Sequence, residues 1–313
     1  MFIVCIAFLW PRFSSAGTDE TRTPISSSPY IVNSSGSYYL TGNLTSSGNG
    51  ITVNADNVVI DLNGFTITGN NTNDGIYMNG RSNIEVKNGT VKGFDTGINE
   101  HSTATLQIGH RMTNVRAVFN VHDGMSFANN ENIIKNCTVS RNGRYGVYST
   151  GDANRVTNTV VIENALDGIS MSRVSTVIDT TASLNRRSGI VVAEGSLVTG
   201  NNALSNSGSG ISTGYGSTVL SNVADKNSNH GIQTSTACTI KDNVAISNGL
   251  SGIALQNYSL LVHNTAFGND TSGMPPLAYN AYNITPAQWC DPWGFYCEDW
   301  GLVGCTYIDN AAP

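Results

Sequence analysis

Residues 141–149, with the sequence RNGRYGVYS, place two arginines and two tyrosines around two glycines. This group stands out because only 12% of the chain is charged, about half the ~25% that is typical of globular proteins. Guanidinium groups bind carboxylates through paired hydrogen bonds. A tyrosine can transfer a proton, and a nearby arginine favours its ionised form. The group therefore predicts chemistry on an acidic ligand, provided that the fold brings these side chains to one surface.

The segments that carry this group repeat along the chain. A glycine followed by Ile, Val or Met recurs every 21 or 22 residues, at Gly124, Gly146, Gly168, Gly189, Gly210, Gly231 and Gly252. A second register consists of Asn120, Asn142, Asn164, Asn185, Asn206, Asn227, Asn248 and Asn269. A third consists of Asn114, Asn136, Asn158, Thr180, Asn201, Asn222, Asn243 and Asn264. Three registers with one period indicate a repeat architecture.

Each repeat contains short β-branched segments separated by Gly, Asn and Ser, and none has a helical period over ten residues. About 21 residues with three short strands would form one turn of a coil, in which each strand pairs in parallel with its copy ~4.8 Å away. Asn side chains stacked at the corners would form ladders. This pattern resembles the right-handed parallel β-helix superfamily, which contains the pectate-lyase-like proteins, over about residues 50–269. The resemblance implies an all-β, single-domain solenoid of about ten turns.

The segments outside the repeats predict a leader, a cap and a tail. Residues 1–16 contain an apolar run too short to span a bilayer, followed by small residues suited to cleavage near Ala16. We interpret them as a signal peptide, with a buried strand as the alternative, and we expect a secreted, periplasmic or cell-surface protein. Residues 17–49 are predicted to cap the coil. Residues 270–313, which hold three tryptophans and no Lys, Arg or His, are predicted to pack against its other end.

The cysteines divide into two groups. Cys137 and Cys238 lie singly among apolar repeats and are predicted to fill the core. Cys290, Cys297 and Cys305 lie close together in the tail, and a disulfide between two of them is compatible with secretion.

Side-chain alternation along a strand predicts which residues of the repeats point outward. His122, Arg144 and Tyr148 fall on one outward strip in neighbouring turns, and Arg187 lies two turns beyond Arg144, ~10 Å away. We assign the catalytic roles to Tyr148, His122 and Arg144. Substrate contacts are expected from seven further residues: Arg187, Asn99, His101, Ser170, Tyr145, Asp167 and Arg173. The competing interpretation is that these polar groups only solvate a sheet face.

The step from Asn88 to Asn114 is about four residues longer than a normal repeat. This difference predicts an extra loop that carries His101 or His110 together with Arg111. His110 is expected at the surface.

A basic strip on a long coil suits an acidic polysaccharide. Cleavage of a polyuronate by β-elimination needs a cation at the carboxylate, a base for the adjacent proton and an acid for the leaving oxygen. Arg144 and Arg187 would bind carboxylates, while Tyr148 or His122 would transfer protons. The β-helix polyuronate lyases use basic residues, sometimes with tyrosine or calcium, so calcium enters only through that resemblance. The residues themselves define no cofactor or metal site.

Two other classes of function remain open from the sequence. A glycoside hydrolase would need two carboxylates, and Asp123 and Asp167 are predicted ~10 Å apart, slightly beyond the ~6.5–9.5 Å of inverting enzymes. A non-catalytic carbohydrate-binding or cell-surface coil would need no catalytic group at all. The net charge of −6 disfavours a nucleic-acid partner. No further segment suggests membrane insertion, and we expect a monomer.

Overall fold

The computed structural model describes residues 21–78, 80–101, 109–256 and 258–269, and the backbone of residues 284–286 and 306–308. The predicted signal peptide, the centre of the extra loop and the three cysteines of the tail lie outside the described residues. The described chain is all β and coils through about 11 turns of parallel strands. In these ranges there is no helix that could cross a membrane.

The coil has three faces. Face A is a separate sheet of 12 strands: β2 (Tyr30–Val32), β5 (Ile51–Val53), β8 (Asp74–Met78), β10 (Thr96–Glu100), β12 (Met125–Phe127), β15 (Val147–Ser149), β18 (Ile169–Met171), β21 (Ile190–Val192), β24 (Ile211–Thr213), β27 (Ile232–Thr234), β30 (Ile253–Leu255) and β33 (Ile284–Pro286).

Faces B and C together form a sheet of 22 strands. Face B contains β1 (Thr23–Ile25), β3 (Gly36–Leu40), β6 (Val58–Asp61), β9 (Ile84–Lys92), β11 (Arg111–Val118), β13 (Ile133–Lys135), β16 (Arg155–Thr157), β19 (Thr176–Ile178), β22 (Leu197–Thr199), β25 (Thr218–Leu220), β28 (Thr239–Lys241), β31 (Leu260–Val262) and β34 (Thr306–Ile308). Face C contains β4 (Leu44–Thr45), β7 (Thr66–Thr68), β14 (Thr138–Ser140), β17 (Val160–Ile162), β20 (Thr181–Ser183), β23 (Asn202–Leu204), β26 (Val223–Asp225), β29 (Val244–Ile246) and β32 (Thr265–Phe267). The long strands β9 and β11 continue from face B into face C and join the two.

The ends of the coil continue the same pairing. Within the segment predicted as a cap, β1 pairs in parallel with β3 and β2 with β5. In the tail, β33 pairs with β30 and β34 with β31. Both terminal segments therefore contribute strands to the sheets.

The core is a column of inward-facing side chains on each face. In β18, Ile169 and Met171 are buried while Ser170 points outward, and the same alternation recurs along face A. Cys137 and Cys238 are buried free thiols, which confirms their prediction as core residues.

The predicted Asn120–Asn269 ladder is confirmed, and it explains the repeated glycine. Asn185 accepts hydrogen bonds from the backbone N–H and the side-chain amide of Asn164, and it donates to Asn206 Oδ1 at 3.0 Å. A Cβ on Gly168 would lie 2.6 Å from Asn185 Nδ2 and 2.7 Å from Gly189 O. The repeat keeps glycine at this position because the next turn leaves no room for a side chain.

The third predicted register is wrong at one step, since it merges two ladders. The turn after Asn158 contains 21 residues, so Asn158 aligns with Asp179 rather than with Thr180. Asn158 is exposed in a left-handed conformation with φ of 47°. Thr180 belongs to a buried ladder, because its hydroxyl accepts the N–H of Thr159 and its own N–H bonds to Asn201 Oδ1 at 2.9 Å.

Candidate functional site

The outward polar residues gather where the chain turns from face C into face A. Along this corner, the N–H of His122 bonds to Asp95 O at 2.7 Å, and the N–H of Arg144 bonds to His122 O at 2.9 Å. The column continues through Leu166 to Arg187. We call the column of Asp95, His122, Arg144, Leu166 and Arg187 the corner strip. At ~4.8 Å per turn, the strip from His122 to Arg187 spans about 14 Å.

Tyr148 lies in the neighbouring outward column of face A. It pairs in register with Ser126 in the preceding turn and with Ser170 in the following turn. Asn99 pairs with Ser126 in the same column. The strand register confirms the alignment of Tyr148 with Ser126 and Ser170. It places Tyr148 in a column beside His122 and Arg144, rather than on one strip with them as the sequence predicts.

Tyr145 connects the corner strip to face A. Its ring stacks on Tyr148, with 4.7 Å between the ring centroids and an interplanar angle of 19°. The Arg144 guanidinium lies 5.5 Å from the centroid of the Tyr145 ring, a favourable cation–π distance. The Arg144 guanidinium and the Tyr148 ring therefore both lie next to the Tyr145 ring at the surface.

Two buried carboxylates lie next to the arginines of the strip. Asp123 lies 4.0 Å from Arg144 and accepts the N–H of Tyr145 at 3.0 Å. Asp167 lies 3.6 Å from Arg187 and accepts the N–H of Ser188 at 2.8 Å. Burial raises the pKa of Asp123, while the N–H of Tyr145 and the charge of Arg144 act against that rise. Because Asp123 and Asp167 are buried and the guanidinium groups are exposed, the arginines are the groups that can meet a ligand.

The strip also contains an exposed histidine–carboxylate pair. His122 Nδ1 lies 2.9 Å from Asp95 Oδ1, and both side chains remain accessible. A carboxylate that contacts one nitrogen of a neutral imidazole selects the tautomer in which that nitrogen carries the hydrogen. His122 can therefore act in proton transfer while Asp95 holds its ring.

Comparisons with known proteins bear on the fold. Residues 123–272 match the family model described as "Right handed beta helix region". Among solved structures, the chain is similar to the A-module of mannuronan C-5 epimerase AlgE6 from Azotobacter vinelandii, with a TM-score of 0.67, 15% identity, and coverage of 93% of this chain and 90% of that one. The fold is a right-handed parallel β-helix.

Two further structures share this β-helix. The AlgE4 A-module from the same organism has a TM-score of 0.64 at 14% identity and covers 75% of this chain and 80% of that one. The periplasmic alginate epimerase AlgG has a TM-score of 0.55 at 16% identity and covers 90% of this chain and 77% of that one. No curated protein matches the sequence. At these identities the similarity concerns the fold.

The β-helix does not bring every predicted site residue to the strip. Arg173 lies beyond β18, at the corner that leads to face B, and binds Asp152 with 2.9 Å between Nη2 and Oδ2. His101 is exposed at the same edge of face A, directly after β10. Asn99 donates to Asp74 Oδ2 at 3.0 Å. Arg144, Tyr145, Tyr148 and His122 are thus the predicted residues that the fold groups most closely, and Arg187 lies two turns from Arg144.

His110 was expected at the surface, and that expectation is wrong. The imidazole is fully buried, and its Nδ1 accepts the N–H of Ile84 at 3.2 Å. Burial lowers its pKa to about 4. His110 occupies the position that Asn132 and Asn154 hold in the next two turns, each accepting a backbone N–H from the turn before. The 22-residue spacing of these three residues is the sequence signal that identifies it as a ladder residue.

The carboxylates of the corner strip do not fit a calcium site. Calcium prefers several free oxygen ligands, whereas the strip carboxylates are each engaged by an arginine, a histidine or a backbone N–H. Within the described ranges, no group of three His, Cys, Asp or Glu residues is placed to hold a metal ion.

Proposed function

We propose that this β-helix binds an acidic polysaccharide along the corner strip and cleaves it by β-elimination at a uronate residue. The observation that carries the proposal is the exposed Arg144 guanidinium, which lies 4.0 Å from buried Asp123 and beside the Tyr145 ring that stacks on Tyr148. A cation next to a phenol is the pair that proton abstraction beside a carboxylate requires.

The local charge supports an anionic substrate. Residues 141–187 contain six arginines and four acidic residues, while the whole chain has a net charge of −6. Three of those acidic residues, Asp152, Glu163 and Asp167, are paired with arginines. A local excess of positive charge attracts anionic ligands to this part of the surface.

The reaction divides among three side chains. Arg144 binds the uronate carboxylate and stabilises the negative charge that develops when C5 loses its proton. Ionised Tyr148 takes that proton, and the C5–H electron pair forms the C4–C5 double bond. The bond from C4 to the glycosidic oxygen breaks, and the departing oxygen receives a proton from Tyr148 or His122. The products are one unsaturated chain end and one new hydroxyl, so the step needs no redox partner.

The placement of the proton-transferring groups favours elimination over epimerisation at C5. Tyr148 and His122 project from the same surface and approach a bound chain from one side. Elimination can be completed from one side when the C5 hydrogen and the C4 oxygen share it, whereas inversion of C5 needs a proton from the opposite side. The names of the similar structures make mannuronan and alginate the first substrates to test.

The same proposal implies where in the cell the protein acts. Acidic polysaccharides of this kind occur outside the cytoplasm, and residues 1–16 have the composition of a signal peptide. We propose that the protein acts in the periplasm, at the cell surface or in the medium, as a monomer.

The decisive experiment incubates the purified protein with alginate, pectate, hyaluronan, chondroitin and a neutral glucan. An ultraviolet-absorbing unsaturated uronate demonstrates elimination. New reducing ends without that absorbance would indicate hydrolysis, altered uronate stereochemistry without cleavage would indicate epimerisation, and binding without product would indicate a non-catalytic module.

Two variants assign the roles. Arg144→Ala should weaken binding roughly tenfold to hundredfold, since a charge-assisted contact contributes about 1.5–3 kcal/mol. Tyr148→Phe should abolish product formation while binding persists. Arg155→Ala, which removes an exposed arginine from face B, is the matched control and should retain native binding. Unchanged binding and turnover in both strip variants would leave these residues as solvated surface groups.

A further inference from the structure

A groove of about 790 Å³ runs beside the corner strip, on the side of face C. It is formed by residues that directly precede or follow the Asn of the Asn120–Asn269 ladder in successive turns. The side chains that shape it are Phe119, Val121, Arg141, Glu163, Leu184 and Arg186. We call it the ladder groove.

The ladder groove exposes large apolar side chains that the fold does not require. Phe119 is 53% exposed, Leu184 is 49% exposed, and both adopt a left-handed backbone conformation, with φ of 57° and 54°. That conformation is unfavourable for bulky residues. Later turns place Ser205, Ser247 and Gly268 at the same position. Small residues therefore satisfy the corner, and the exposed apolar groups call for another explanation.

The charges of the ladder groove favour an anion. Arg141 forms an ion pair with Glu163 and lies over the Phe119 ring, 5.4 Å from its centroid. Arg186 is exposed, and its side chain forms no ion pair with any residue that the structure describes. Two arginines against one glutamate leave the groove with a net positive charge.

The ladder groove is continuous with the corner strip. Val121 is followed by His122 and Arg186 by Arg187, so each turn carries one groove residue next to one strip residue. The buried ladder asparagines lie beneath the boundary between the two surfaces. A chain that binds the strip can therefore extend into the groove without a gap.

We propose that the ladder groove is a second binding subsite for the same acidic polysaccharide. Phe119 and Leu184, three turns and about 14 Å apart, each pack against the apolar face of a sugar ring. Arg186 binds a uronate carboxylate at the Leu184 end, and Arg141 binds one at the Phe119 end. The inference rests on the proposed function, because it takes its ligand class from the strip.

The test uses residues that the β-helix itself accepts at these positions. The double variant Phe119→Ser/Arg186→Ser introduces the residue type found at Ser205 and Ser207, the equivalent corner positions one turn beyond Arg186. Lys226→Ser removes a charge at the position equivalent to Phe119 but away from the groove, and serves as the matched control. Calorimetric titration compares a trisaccharide and a decasaccharide of the uronate that the wild-type protein binds. Thermal unfolding reports whether each variant retains the fold, and Arg186→Ser alone replaces the double variant if it does not.

The wild-type protein should bind the decasaccharide more tightly than the trisaccharide. The groove variant should bind the decasaccharide at least tenfold more weakly than the wild-type protein does, whereas Lys226→Ser should bind it with wild-type affinity. Equal decasaccharide affinity in the folded groove variant and the wild-type protein overturns the subsite and leaves the proposed function intact. A neutral decasaccharide that binds the groove as tightly as the acidic one overturns the role of Arg186. Absence of polyuronate binding by the wild-type protein refutes the proposed function itself, and the subsite with it.

Discussion

Replacement of His110 by asparagine should change how the stability of the β-helix depends on pH. The imidazole is fully buried, with Nδ1 accepting the N–H of Ile84 at 3.2 Å and Nε2 lying 3.0 Å from Asn129 Nδ2. Desolvation of the charged ring is the largest cause that lowers its pKa from 6.5 to about 4. Folding therefore holds His110 in its neutral form.

The magnitude follows from proton linkage. The unfolded chain binds a proton at an ordinary histidine pKa near 6.5, while the folded chain binds it only near 4. The unfolded state thus holds more protons between these values, so stability is full above the higher pKa and falls as the pH decreases towards the lower one. At about 1.4 kcal/mol per pKa unit, the loss amounts to about 3 kcal/mol.

Urea unfolding at a series of pH values measures this loss. His110→Asn should keep the fold, because Asn132 and Asn154 accept backbone N–H groups at the same ladder position. Between the unfolded-state and folded-state pKa values of His110, the free energy of unfolding of this variant should fall by about 3 kcal/mol less than that of the wild-type protein. Asn132→Ser is the control, since it weakens the same ladder without removing a titratable group and should retain the wild-type slope. An acid-induced decline that is as steep in His110→Asn as in the wild-type protein would refute the reasoning.

Three further predictions test the fold. Gly168→Ala should lower stability by about 1–3 kcal/mol, because its Cβ would lie 2.7 Å from the carbonyl oxygen of the next turn. Gly216→Asn is the control and should change the melting temperature little, because Gly216 has a φ of 64° and open space around it. Equal melting temperatures for the two variants would contradict the crowding argument. Asn185→Ala should cost about 1–3 kcal/mol for each buried group that it leaves unpaired, beginning with the N–H of Asn164 at 3.1 Å, and a loss below 1 kcal/mol in urea unfolding would count against the ladder. Burial raises the pKa of Glu100. The stability that this residue contributes is therefore full below its unfolded-state pKa and is lost as the pH rises through its folded-state pKa. Glu100→Gln should remove this decline, and an unchanged dependence of stability on pH would contradict the prediction.

The repeat period was sufficient to predict the fold and the outward columns. Side-chain alternation places Tyr148 in line with Ser126 and Ser170, and the strand register confirms that alignment. The prediction works because a parallel coil allows little freedom, since each residue sits one turn above its copy. Where the number of residues per turn changes, as between Asn158 and Asp179, an alignment predicted from a constant period is wrong by one position.

The contacts within the site could not be predicted from the period. The stacking of Tyr145 on Tyr148 depends on side-chain rotamers at a corner, where no alternation rule applies. The contact between Arg144 and Asp123 joins two turns through a residue that the sequence leaves open as a candidate carboxylate of a hydrolase. Asp123 is only 5% exposed, so its carboxyl group has little access to a bound sugar, and it lies next to the arginine instead.

The segment RNGRYGVYS also separates what the fold requires from what a ligand would require. Asn142 is buried in the ladder, and a Cβ on Gly143 would lie 1.9 Å from Val121 O, so the coil itself accounts for both residues. Arg141 and Arg144 are under no such constraint, because small residues occupy their positions in later turns, as at Ser205 and Gly208. Arg141 borders the ladder groove and Arg144 the corner strip, on either side of the buried Asn142. In the proposed complex, one anionic chain would cross the corner at Gly143 and meet both cations.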